Sequence, residues 1–396
     1  MSITKFFKRA EYGFVCLRYL IYYYVTCIIG LAARHTKKYK NLWLIAERKT
    51  EARDNGFHLF RYMNENHSEI NTAFLIDRES PDFEKVSRIG RIIQPNTFSH
   101  MLAFACAEVR ISTHYMGCAP DTYGFAVMRR YKLVFGREVF LQHGITSNNL
   151  REMHYPNARL SMFVCSVPSE YEDIKNTYGH PDGVVQKIGL CRYDRLLTPH
   201  IVKRQILVMP TWRYFLRNLS AEKFVQSEYY SQFSQLINDK ELIAALEKYD
   251  YTLVLYLHYE LQKFSDLFKT SSPRVRILKR NEADVQDLLI SSAMMITDYS
   301  SVFFDFAYMS KPLAYLWFDE KTFYDTQYGR GYFNCRKDGF GPVFGSAAQT
   351  AGYIVQRLEN GMRTEEEYMR RAENFFGERA ANHCEKTYEA IKELLK

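Results

Sequence analysis

Residues 294–317, MMITDYSSVFFDFAYMSKPLAYLW, decide the fold. Met294–Thr297 is a short apolar run, Ser300 and Ser301 stand at a helix start, and Pro312 closes that helix before a second apolar run, Leu313–Trp317. Two strands joined by a helical crossover of this length lie parallel in one sheet. The same alternation continues upstream in two series. Upstream in one series are Leu42–Ala46, Ala73–Ile76, Val109–Ser112, Val139–Gln142, Phe163–Val167 and Val185–Ile188; in the other are Ile206–Met209, Leu253–Leu257 and Val275–Leu278. Leu197-Thr198-Pro199-His200 breaks the pattern between them. The expected organisation is α/β: an N-terminal segment over 1–40, one Rossmann-like domain over 41–198 and a second over 199–396, facing a cleft. Ligands of such sheets bind at the carboxyl ends of the strands, so chemistry is sought there.

Polar motifs do follow the strands. His143 and Gly144, in Leu141-Gln142-His143-Gly144-Ile145-Thr146, suit a general base or phosphate ligand beside a residue that permits close approach. A strand-end histidine in isolation is more often structural. Met209-Pro210-Thr211-Trp212-Arg213 offers the Thr211 hydroxyl and the planar Arg213 fork, and His258 ends another strand. In 297–305, Thr297, Asp298, Ser300, Ser301 and Asp305 cluster around a helix start, a place where backbone N–H groups favour an anion. A plain capped helix accounts for the serines about as well, but not for both aspartates. Arg330 stands between Gly329 and Gly331, where permissive backbone favours contact with a charged ligand over packing. The chain has no phosphate-binding G-x-x-x-x-G-K-[ST] and no D-x-D. Neither metal nor cofactor is expected; helix dipole, arginine and histidine would neutralise a pyrophosphate.

The 396 residues are 47% hydrophobic and 25% charged, which excludes disordered, collagen-like and coiled-coil classes. The net charge is +8, yet residues 1–40 hold Lys5, Lys8, Arg9, Arg18, Arg34, Lys37, Lys38 and Lys40 against Glu11 alone. The remaining chain is nearly neutral, which argues against nucleic acid as a partner. Between those cations, Tyr12–Ala33 (YGFVCLRYLIYYYVTCIIGLAA) is apolar or aromatic apart from Arg18, Thr26 and Gly30. Its uncharged part is short for a bilayer span of about 20 residues. A helix lying in the membrane interface is expected, with a helix packed on the protein itself as the alternative. The eight cysteines form no metal-spaced cluster and read as reduced core residues, favouring a cytoplasmic body.

The set QHGIT (142–146), MPTWR (209–213), His258 and TDYSSVFFDFAYMSKP (297–312) resembles the CDP-glycerol glycerophosphotransferase family, the teichoic acid primases and polymerases. GLCRYDRL (189–196), FVQSEYY (224–230) and YGRGYFN (328–334) add to the likeness, and IAER (45–48) with ARDNG (52–56) extend it. The resemblance implies a GT-B fold and a peripheral enzyme at the cytoplasmic face of the membrane. It implies transfer of glycerol phosphate from CDP-glycerol, or a similar CDP-polyol, to a lipid-linked acceptor with release of CMP. By that resemblance His143 is the catalytic histidine; His258, taken with it as the second catalytic residue, lies with Ser300, Ser301 and Arg330 around the diphosphate and glycerol phosphate, and Asp305 meets the ribose. Gly144, Thr211, Arg213, Thr297 and Asp298 complete the expected binding set. Ribitol phosphate transfer, nucleotide-sugar glycosyl transfer and a non-catalytic membrane-docked nucleotide binder are the rival readings, and an oligomer is left open.

Overall fold

A computed structural model describes residues 3–147, 149–280, 282–327 and 330–396. The chain forms two compact units. One comprises Met1–Ile145, Leu150–Arg195 and Ala380–Lys396; the other, Thr146–Asn149 and Leu196–Arg379.

The first unit holds a seven-stranded sheet. Its strands are β1 Trp43–Ala46, β2 Thr72–Leu75, β3 Ile92–Ile93, β4 Val109–Ser112, β5 Arg137–Phe140, β6 Met162–Cys165 and β7 Val185–Lys187. Their order is β3-β2-β1-β4-β5-β6-β7 and every pairing is parallel, with Ile45 opposite both Phe74 and Ile111. The second unit holds β8 Gln205–Val208, β9 Thr252–Tyr256, β10 Val275–Leu278, β11 Met294–Thr297, β12 Leu313–Leu316 and β13 Val343–Phe344, all parallel. Their order is β10-β9-β8-β11-β12-β13, so both sheets reverse direction of growth beside their first strand. These reversal points, after β1 and β4 and after β8 and β11, are where an open sheet leaves a crevice for ligand.

The expected strands are present, displaced by one or two residues at most. The reason they could be read is that strands covered on both faces are continuous apolar runs; Trp43–Ala46, Met162–Cys165 and Leu313–Leu316 are buried throughout. The two-residue edge strands β3 and β13 carry no such run and were not anticipated. A further difference is at the C-terminal end. The helix His383–Leu395 packs in the first unit, where Tyr388 and Ile391 join Trp43 and Ile45 in one core. Its start is fixed by Asp194, whose carboxylate accepts from the backbone N–H of His383 (2.7 Å) and Cys384 (2.9 Å).

The N-terminal helix, α1 (Ile3–Ala33), docks along one flank on the helices Phe98–Cys106 and Thr122–Arg130. Tyr23 and Thr26 are buried. The Tyr23 hydroxyl accepts from Phe135 N–H (3.0 Å), and the Tyr24 hydroxyl donates to the Leu133 carbonyl (3.1 Å). Gly30 permits the close approach: a Cβ there would lie 3.0 Å from Cys106 Sγ. Tyr19 and Tyr24 are half-buried on the same flank, while Tyr22 is exposed. The other flank exposes Phe14, Leu17, Ile21, Val25, Ile28 and Leu31, spaced three or four residues apart along one helical face.

Candidate active site

In the first unit the turn after β5 places His143 next to Gln142, a non-glycine residue with φ +60°. Such backbone is costly and persists only where surrounding contacts hold it. The buried Gln142 amide donates to the buried Glu170 Oε1 (2.8 Å) and the Val164 carbonyl (3.0 Å), and Glu170 Oε2 accepts from the N–H of half-buried Ser166 (2.6 Å). Gln142 is therefore the anchor that turns the next residue outward. His143 itself is exposed, and Gly144 beside it is buried.

Six further side chains frame His143, directly or through a neighbour. Arg192 Nη1 donates both to Asp54 Oδ1 (2.7 Å) and to the His143 carbonyl (2.8 Å). Asn55 Nδ2 donates to the Gln142 carbonyl (2.8 Å), while Asn55 Oδ1 accepts from Arg192 N–H (3.0 Å). Asp54 also starts α2 (Asn55–Asn66), accepting from the Asn55 N–H. Glu47, just beyond β1, accepts from the N–H groups of Arg53, Asp54 and Phe57 (2.8, 3.0 and 2.6 Å) and shapes the turn that delivers Asp54. Another is His114, following β4. Its ring stacks on that of His143 with centroids 4.9 Å apart and planes 13° from parallel. Arg48 Nε donates to His114 Nε2 (3.2 Å), and burial, His143 and Arg48 push its pKa down to about 2. His114 is consequently neutral under all ordinary conditions.

The His143 ring reaches solvent on one side, yet protein closes round the others. That enclosure disfavours the cation and holds its pKa below the ordinary histidine value; Asp54 pulls upward, while Arg192 and Arg48 push down. A neutral, accessible imidazole of fixed orientation can accept a proton. Of the framing residues, Glu47, Arg48, Asp54, Asn55 and Arg192 lie in stretches that contribute to the family likeness, but only the fold collects them; nothing local marked His114.

In the second unit the expected residues separate into two groups. Arg213 is fully buried. It pairs with Asp298 (Nη1 to Oδ2, 2.9 Å) and in fork geometry with Asp319 (Nε to Oδ2, 2.6 Å; Nη2 to Oδ1, 3.0 Å). Asp298 Oδ1 also accepts from the N–H groups of Thr211 (2.8 Å) and Tyr299 (2.7 Å), tying the loop after β8 to the loop after β11. Thr297 is buried with its hydroxyl donating to the Met209 carbonyl (2.8 Å). The expectation that Arg213 presents its fork to phosphate thus meets a guanidinium taken up by two aspartates inside the protein. Thr211, Thr297 and Asp298 belong to the same weld, and Asp305 is also buried, at 4% exposure.

The second group is accessible. His258 follows β9, its ring near-parallel to Trp212 at 6.1 Å, which joins the strand-end histidine to the loop after β8. Ser300 is half-buried and Ser301 exposed before the helix Val302–Tyr308, and Ser301 makes no side-chain cap. Arg330 is exposed, pairing with Glu320 (3.0 Å) and standing over Tyr324 at 4.3 Å. Tyr328 and Gly329 of its motif lie outside the described residues. Among the described residues no group of three histidine, cysteine or acidic side chains could hold a metal.

Two Rossmann-like units, each with polar side chains gathered where its strand order reverses, define a protein of the GT-B type. The fold likeness agrees. The wall teichoic acid polymerase TagF superposes with a TM-score of 0.67 at 17% identity, covering 100% of this chain and 98% of that one. A UDP-GlcNAc 2-epimerase from Neisseria meningitidis, bound to UDP-GlcNAc, gives 0.54 at 12% identity, covering 89% and 99%. The sequence profile of the CDP-glycerol:poly(glycerophosphate) glycerophosphotransferases matches residues 28–393, and the chain belongs to that family. It is 32% identical over 367 residues to the minor teichoic acid biosynthesis protein GgaB of Bacillus subtilis, an alignment covering 90% of this chain and 40% of that protein. The chain therefore spans about two fifths of this relative's length.

Proposed function

We propose that this chain transfers glycerol phosphate from CDP-glycerol to an acceptor hydroxyl and releases CMP, in teichoic-acid-type polymer synthesis. The observation that carries the reading is the family match over residues 28–393. The acceptor oxygen attacks the β-phosphorus, an O–P bond forms, and the bond from that phosphorus to the bridging oxygen breaks. CMP leaves with the electron pair, and the acceptor proton passes to His143. His258, Ser300, Ser301 and Arg330 surround the phosphates and offset charge on the departing CMP, since phosphoryl transfer depends chiefly on positioning and electrostatics. Arg213, Thr211, Thr297 and Asp298 act one step back, holding the loops that carry His258 and Ser300. The decisive assay is nucleotide release with CDP-glycerol, CDP-ribitol and UDP-sugars offered in turn. Preference for CDP-glycerol is expected; preference for a sugar nucleotide, or binding with no turnover, would reject the reading.

The acceptor in this reading is lipid-linked and α1 rests on the cytoplasmic face of the membrane. Gly13–Ala33 is long and apolar enough to cross a bilayer, but the docking of Tyr23, Thr26 and Gly30 on the folded body, with Leu17 to Leu31 left bare on one flank, supports a helix lying in the interface plane. Replacing Ile21 and Ile28, 57% and 69% exposed, with Glu removes two apolar side chains from the stripe. At about 1.5–3 kcal/mol each, vesicle binding should weaken more than ~100-fold. Turnover of a soluble acceptor should hold. Unchanged co-sedimentation with vesicles would contradict the placement.

A further inference from the structure

At the edge of the first sheet opposite His143, where β1 and β2 begin, an open cavity of about 690 Å³ is lined by Lys37, Lys40, Arg91, Lys392 and Lys396 against Glu69 and Glu108. Trp43 and Thr72, the first residues of those strands, form part of its wall. Of these seven charges Lys396 pairs with Glu393, and Glu69 acts on Lys392 within the cavity. The cavity retains a cationic excess in a chain body that is otherwise nearly neutral.

The cations are held in place, not merely scattered over the surface. Asn71 Nδ2 donates to the carbonyls of Lys37, Lys38 and Lys40 (3.4, 3.3 and 2.9 Å), folding the loop that carries two of the lysines. Arg91 donates from Nη1 to the Lys38 carbonyl and stands over the Tyr39 ring at 5.4 Å. Its Nη2 is shielded from solvent with no hydrogen-bond partner among the described residues. That donor is out of reach of a ligand, but a partly desolvated guanidinium in the cavity wall keeps its positive charge, which an incoming oxyanion would offset. The volume lies within the range of small-ligand sites.

Position narrows the ligand. The loop 34–40 leaves α1 directly: Arg34 N–H bonds the Gly30 carbonyl, and Tyr39 and Lys40 N–H both bond that of Thr36. Lys37 is six residues beyond Leu31, the last member of the exposed apolar stripe. With that stripe at the acyl boundary, lysines attached so closely to it stand at headgroup depth. We infer that this cavity binds the phosphate of an anionic lipid headgroup and so fixes the orientation of the first unit on the bilayer. The inference rests on the interfacial placement of α1.

The test is co-sedimentation of the full chain with vesicles of pure phosphatidylcholine and of equimolar phosphatidylcholine and phosphatidylglycerol. The variant Lys40→Gln/Lys392→Gln leaves the Arg91 and Asn71 contacts that fold the loop intact. The intact chain should prefer the anionic vesicles, and the variant should lose about 10- to 30-fold of affinity for them, from roughly one surface charge's attraction per lysine. Its affinity for phosphatidylcholine, which reports α1 alone, should be unchanged. Adding Arg91→Gln should lower the affinity for anionic vesicles further, to the preference that Arg18 of α1 and the adjoining Arg34 supply. Equal binding of both vesicles by the intact chain, or of anionic vesicles by chain and variant, overturns the headgroup site while leaving α1 in the membrane. Absence of binding to either vesicle overturns both. Titration with glycerol 3-phosphate separates the sources: binding that the variant loses, with vesicle affinity unaltered, assigns the cavity to a soluble phosphate instead and overturns the inference.

Discussion

Replacing His143 with alanine should lower CMP release from CDP-glycerol by about 10²–10⁴-fold, the usual contribution of a positioned general base. The fold should be unaffected, because the ring is exposed and the strained turn beneath it is secured by Gln142 and Glu170 instead. In the proposed mechanism the imidazole takes the acceptor proton as the O–P bond forms and does little for donor binding, so the loss is expected in kcat. The pH profile gives an independent reading. A base works when neutral, and the folded pKa of His143 lies below its ordinary value. Activity is thus present at neutral pH and is lost on acidification, as pH falls through that lowered pKa. Removing Asp54 with Asn takes away the one neighbouring charge that favours the imidazolium, so the acid limb should move to still lower pH. An acid limb that does not move, or wild-type turnover in His143→Ala, would displace the histidine from its role.

Replacing Arg213 with methionine should destabilise the second unit by about 3–5 kcal/mol, since it leaves Asp298 and Asp319 buried without their shared cation. Urea or thermal unfolding measures this directly. The companion change Arg330→Ala, at an exposed ion pair with Glu320, should alter stability by no more than about 1 kcal/mol and act on turnover instead. Adding Asp298→Asn and Asp319→Asn to Arg213→Met should recover part of the lost stability, because the uncompensated charges go with their partner. If Arg213 instead met phosphate, Arg213→Met would unfold like the parent chain and raise KM. The contrast matters for the site. Two aspartates and one arginine carry a net negative charge, so this weld positions the loops at the β8/β11 reversal but offers no attraction to a pyrophosphate.

Most strands of both sheets were legible because a strand covered on both faces is written as an apolar run followed at once by polar residues, whereas the two-residue edge strands and the order of the strands were not. For the same reason His143, His258 and the Ser300-Ser301 pair could be placed at strand ends from their neighbours alone. The α1 segment was legible as a helix with an unusual apolar content, since its composition differs from everything after it. What could not be read locally is which polar side chains remain available. Arg213 has the fork that phosphate favours, but Asp319, 106 residues later, closes on it. His114 carries no motif, and only the adjacency of β4 and β5 lays its ring against His143.

Linear order thus specifies two α/β sheets, the places where chemistry can occur and an apolar, basic N-terminus, because those depend on periodicity and on residues close in the chain. Tertiary structure decides which of the candidates reach solvent, which face of α1 is left bare and where the last helix packs, because each depends on a partner far away in sequence. Asp194 capping a helix that begins at His383 shows the distance involved. Burial and pairing belong to the neighbours a residue acquires, and the neighbours are chosen by the fold.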